Sequence, residues 1–93
     1  MEVWTAGKIL DADIVIVNGA KKVLVKNEKG EKVLMEFQEF AELVKNYLSL
    51  KEKNLENHVK NSNKKAFEES YYTYKRVVLK ANEMGIPWQM KRF

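Results

Sequence analysis

The sequence predicts an α+β fold, a three-stranded antiparallel β-meander followed by an antiparallel pair of α-helices packed on one face, and three observations predict it. Two turn signals, Asn18-Gly19 and Glu28-Lys29-Gly30, separate three short aliphatic runs. The registers that the two turns impose agree on a single apolar face. From Phe37 onward the apolar spacing changes from two residues to three and four, the period of a helix.

The first strand is expected over about 9–17, where Ile and Val dominate, and Asn18-Gly19 closes it because a two-residue hairpin loop needs positive φ at both positions. A second strand follows over about 20–26 and a third over about 31–36. Gly30 suits the left-handed position of a three-residue loop with a bulge. These turns set Ile16 opposite Lys21, Ile14 opposite Val23, Ala12 opposite Val25, Val25 opposite Val33 and Val23 opposite Met35. Since side chains alternate, one face collects Ala12, Ile14, Ile16, Val23, Val25, Val33 and Met35, the expected core. The other collects Asp13, Val15, Val17, Lys22, Leu24, Lys26, Lys32, Leu34 and Glu36, an apolar centre inside a charged rim. A one-residue slip in either turn would scramble both faces. Residues 1–8, with Val3 and Trp4 before Gly7, read as a short additional strand.

Phe37, Phe40, Ala41, Val44, Leu48, Lys51, Leu55 and Val59 form a helical stripe, broadened early by Leu43, Tyr47 and Leu50. This predicts a helix over about 38–60, with 51–63 open to either helix or loop. Asn61-Ser62-Asn63 favours a turn through side-chain bonds to nearby amides. A second helix is expected over about 64–84, with Phe67, Tyr71, Tyr74, Val78 and Ala81 on one face. Gly85, Ile86 and Pro87 mark its end, and 85–93 form a tail aromatic at both ends.

With 93 residues, 45 % apolar and 32 % charged, the chain can build one hydrophobic core, so a single domain over 1–93 is expected. There is no cysteine, which excludes disulfides, thiolate catalysis and cysteine-held metals. The start lacks a basic segment followed by an apolar one, and the longest apolar run, Ile14-Val15-Ile16-Val17, falls far short of the roughly 20 residues of a membrane helix. The expected location is the cytoplasm, without membrane association. Abundant Lys and Asn, both with AT-rich codons, suggest a bacterial or phage genome. The net charge of +4 resides entirely in residues 37–93, so an electrostatic function belongs to the second half.

Catalysis finds no foothold. His58 is the only histidine and stands among polar residues, and without cysteine a transition-metal site would need mostly carboxylate ligands. Asp11 and Asp13 could share one side of a strand, yet no Glu is followed two places later by Lys, as a metal-dependent nuclease of the Asp…Glu-x-Lys kind requires. The four glycines are scattered, so no phosphate loop exists, and no Ser or Thr lies in a nucleophile motif. We expect no enzyme activity, no cofactor, no metal and no small-molecule substrate.

Binding is the expected function. The outer sheet face, with Val15, Val17, Leu24 and Leu34 inside a charged rim, has the composition of a protein contact. It fits a small adaptor or inhibitor that binds a protein or dimerises, unless residues 1–8 or the Trp88 tail cover it. The alternative is nucleic-acid binding through the last helix, where Tyr72, Lys75, Arg76 and Lys80 cluster with Leu79 at helical spacing, helped by Lys60, Lys64 and Lys65 around the interhelix turn. Only Arg76 and Arg92 could supply the guanidinium forks of specific DNA readout, which favours backbone or single-strand binding within that alternative.

Overall fold

The computed structural model describes residues 5–93. Its elements run α1 (Ala6–Leu10), β1 (Asp13–Val17), β2 (Ala20–Lys26), β3 (Lys32–Glu36), α2 (Phe37–Lys60) and α3 (Lys64–Glu83). The strands form an antiparallel sheet in the order β1-β2-β3. The expected meander and the helix pair after it are the fold.

Both turns behave as their residues dictate. Asn18 and Gly19 take φ of 52° and 80°, the double positive pair of a tight hairpin, and Gly30 takes 82°. Asn27 reinforces the second turn, its Oδ1 accepting from the amides of Lys29 and Glu31 at 3.0 and 2.9 Å. The pairing follows the predicted register, Ile14 with Val23, Ile16 with Lys21, Val23 with Met35 and Val25 with Val33, except that the expected Ala12–Val25 pair falls before β1, which begins at Asp13.

Ala12, Val23 and Val25 are buried, and Ile14 and Met35 half-buried. Two members of the expected core face are not enclosed: Ile16 is 67 % exposed and Val33 41 %. Ile16 sits at an edge beside Lys21, whose Nζ lies 4.6 Å from the centre of the Phe37 ring and keeps that corner polar. Val33, at the opposite corner, lines an open groove of about 530 Å³ with Lys8, Val25, Glu31 and Met35.

The strand expected from residue 9 begins only at Asp13. Residues 5–10 form a helical turn instead, Thr5 capping it through its hydroxyl and Ile9 plugging the core. The strand expected within residues 1–8 therefore lies partly outside the described residues, and its remainder is α1. Aliphatic Ile9-Leu10 suits either state; the Thr cap and burial against α3 decide for helix.

α2 begins directly after β3, with no linker, and is continuous to Lys60, so the segment 51–60 is helix and the turn is confined to 61–63. Ser62 takes a positive φ of 55°, and Asn63 caps α3 by accepting from the Ala66 amide at 3.3 Å. At 1.5 Å per residue α2 is about 36 Å long, against about 23 Å for β2, so the helices outrun the sheet. The sheet is covered by α2 and α1, while α3 packs on α2 and α1 behind them. The outcome is an elongated body, 50 × 28 × 21 Å. One cluster unites it, from Ile9, Val23 and Phe40 near the sheet to Leu55 and Tyr74 among the helices, with no buried charged or polar residue among those described. No helix among the described residues is long and apolar enough to cross a membrane.

Candidate functional site

The outer face of the sheet is built by strand alternation. Its rows run Asp13–Leu24–Leu34 and Val15–Lys22–Glu36, with Val17 beside Ala20 and Lys26 beside Lys32 at the ends. Val15, Val17 and Leu24 are half-buried, and Leu34 is 54 % exposed. The Lys22 ammonium, on the central strand beside Val15, pairs with the Glu36 carboxylate within this face, so an ion pair lies between the β1 valines and the Leu24–Leu34 pair. The four residues expected to form a contact thus share one face, Leu24 and Leu34 as cross-strand neighbours and Val15 and Val17 along β1. The tail does not cover them, because it lies along the helices.

How the tail lies there is the detail that sequence reasoning missed. Gly85 takes φ of 86° and the Ile86 amide donates to the Ala81 carbonyl at 2.8 Å, a left-handed helix cap that turns the chain back. Asn82 then grips Trp88 twice, its Nδ2 donating to the Trp88 carbonyl and its Oδ1 accepting from the Trp88 amide, both at 3.1 Å. Glu52 of α2 collects both helices and the tail, its Oε2 accepting from the Tyr74 hydroxyl at 2.7 Å and from the Trp88 indole at 3.0 Å. The Tyr74 oxygen in turn accepts from the Lys91 amide at 3.0 Å. Lys91 pairs with Glu56, and Phe93 meets Phe67, Tyr71 and Tyr74 edge-on. Glu52 follows the apolar stripe as an ordinary solvated residue would, so no spacing signals its partners twenty-two and thirty-six positions on.

Burial, reinforced by the hydrogen bond to Glu52, pushes the Tyr74 hydroxyl above the ordinary tyrosine value of about 10, and burial alone raises Tyr47. A raised folded value means that the unfolded chain gives up its proton first. Stability is therefore full below about pH 10 and falls as pH climbs through the folded value. Urea titrations at rising alkaline pH should show this decline, and Tyr74→Phe should flatten its Tyr74 share; an unchanged slope in the variant would refute the assignment.

The outer face of α3 is less concerted. Tyr72 is 65 % exposed with the Arg76 guanidinium 5.8 Å from its ring centre, and Lys75 stands 5.7 Å from the Tyr71 ring. Glu68 and Glu83 share the same helical stripe as Tyr72 and Arg76 by their spacing, which interrupts a basic surface. Lys60, Lys64 and Lys65 gather at the interhelix turn, but Lys80 lies about 24 Å along the helix from Lys64. The structure does not bring these cations into one patch.

His58 is half-buried near the interhelix turn, where Val59, Asn63, Lys64 and Phe67 line the same open pocket. Asp11 closes α1 as its C-cap and Asp13 opens β1, both exposed. Among the described residues no three His, Cys, Asp or Glu side chains are grouped to hold a metal ion.

These features define a class: a small α+β module, a meander backed by a helical hairpin with a strapped C-terminal tail, whose outer sheet face carries aliphatic residues that none of the described elements covers. Comparison with protein-family models, with curated proteins and with solved structures gave no match for this chain.

Proposed function

We propose that this protein is a non-catalytic interaction module of adaptor or inhibitor type, which docks a protein through the outer face of its sheet. One observation carries the reading. Val15 and Val17 along β1 and Leu24 beside Leu34 on β2 and β3 share one face, with the Lys22–Glu36 pair completing the Val15 row, and none of the described helices or the tail packs on it. Contacts of this make-up lose water from the centre and keep ion pairs at the edge, where their desolvation cost is small.

The test is a paired Leu24→Lys/Leu34→Lys variant, since these two side chains are cross-strand neighbours on that face. Lysine at half-exposed strand positions can extend its ammonium into water, so the variant should keep the wild-type circular dichroism spectrum. In a nuclease-treated extract of the native host, immobilised wild type should retain a protein that the variant binds at least about tenfold more weakly, about 1.4 kcal/mol. Equal retention by both proteins overturns the reading. A partner that vanishes on nuclease treatment, with affinity falling steeply with salt, would transfer the function to Tyr72, Lys75, Arg76 and Lys80 on α3.

A further inference from the structure

Among the described residues neither edge of the sheet is paired, and the two edges differ in chemistry. In a two-residue hairpin the residues flanking the turn exchange both backbone hydrogen bonds, and bonding alternates from there. In β1, Val17, Val15 and Asp13 therefore point their amides and carbonyls toward β2, while Ile14 and Ile16 point theirs outward. Among the described elements β1 packs substantially on β2 alone, and no turn or loop backbone bond reaches Ile14 or Ile16. On the other side, the outward groups of β3 belong to Lys32, Leu34 and Glu36, and charged side chains at both ends of an edge discourage pairing. The β1 strand, Asp13-Ile14-Val15-Ile16-Val17, has no lysine, proline or bulge, and its Ile16 is the most exposed large aliphatic of the described residues.

We propose that β1 pairs antiparallel with β1 of a second copy about a two-fold axis through Val15, joining two three-stranded sheets into one. This goes beyond the outer-face reading: it adds a second surface, the β1 edge, and names its occupant as a second copy of the chain. Of the registers that join outward groups, the one that matches the whole strand pairs Ile14 with Ile16 across the axis, sets Val15 against Val15 and Asp13 against Val17. All five residues of the strand are matched, with about four new backbone hydrogen bonds. On the inner face Ile16 comes to rest beside the Ile14 of the second copy, which covers the corner that Lys21 leaves open. Charge selects the same arrangement. A parallel pairing would set the two Asp13 carboxylates side by side, whereas the antiparallel one carries the acidic entry of each strand, Asp11 and Asp13, toward the other copy's turn, where Lys21 and Lys22 open β2. An isologous contact of this kind closes on itself and stops at two copies.

Sedimentation equilibrium over a concentration series reaching the millimolar range tests this, together with amide hydrogen exchange on the same samples. The wild type should move from 10.9 kDa to twice that mass. The Ile14 and Ile16 amides should slow at least about tenfold as the dimer fills. Ile16→Lys, at a position already exposed, should keep the fold and hold the mass at that of one chain. A wild type that stays single at every concentration, with exchange at Ile14 and Ile16 independent of concentration, overturns the inference. So does a dimer that survives Ile16→Lys but is lost in Leu24→Lys/Leu34→Lys, although that outcome upholds the outer face as a docking surface. The two readings thus fail separately, because Leu34 lies on the far strand from β1.

Discussion

Replacing Tyr74 with alanine is expected to remove about 3–5 kcal/mol of unfolding free energy, the range for deleting a fully buried aromatic side chain. A domain of this length has on the order of 5–14 kcal/mol in total, so the variant should be close to unfolding at moderate urea. Tyr74 is wholly enclosed and stands where α2, α3 and the tail converge. Its ring packs in the same cluster as Leu55 and Val78, with Tyr71 stacked 6.0 Å away. Tyr74→Phe separates packing from hydrogen bonding. It keeps the ring, leaves the Lys91 amide without its acceptor and removes one of the two donors to Glu52, a change of about 1–3 kcal/mol. Urea denaturation with both variants decides the matter. Equal losses would mean that the hydroxyl, not the ring, carries the stability, and a loss below about 1 kcal/mol in Tyr74→Ala would show that Tyr74 is not a core residue.

Truncation after Gly85 is expected to have an effect of similar size. It removes Ile86, fully buried, whose deletion alone should cost about 2–5 kcal/mol by analogy with large-to-small core changes. It also removes the Trp88 bonds to Asn82 and Glu52 and uncovers Phe67, Tyr71 and Tyr74. At roughly 4–8 °C per kcal/mol for a domain of this size, the thermal midpoint should fall by at least about 10 °C, and the exposed aromatic groove should bind a hydrophobic dye. Restoring the tail as a separate peptide should reverse part of the loss by mass action. A midpoint within about 2 °C of the full chain would show that the tail merely rests on the helices. Because the strap lies far from the outer sheet face, its loss should act on docking only through folding.

The three-stranded meander and the residues that share its outer face were legible in the sequence, apart from the start of β1. Turn chemistry is local: positive φ at Asn18, Gly19 and Gly30 follows from those residues alone, and once the turns are set, the alternation of side chains decides every pairing. The helix pair and its glycine stop followed from period and cap residues, while the state of 51–60, which period left open, was settled by the fold as helix. What only tertiary structure decided is how far the layers overlap. Whether Ile16 and Val33 are covered depends on where α2 leaves the sheet and how far it runs beyond it, and a helical period says nothing of direction. The state of Ile9-Leu10 was decided by burial against α3, which overrides a weak local preference. The bond from Glu52 to Trp88 joins residues with no common period, so it exists only once the glycine cap has folded the tail between the helices. Nor could composition distinguish the two sheet edges: that β1 presents bare isoleucines while β3 presents Lys32 and Glu36 follows from which residues the register turns outward.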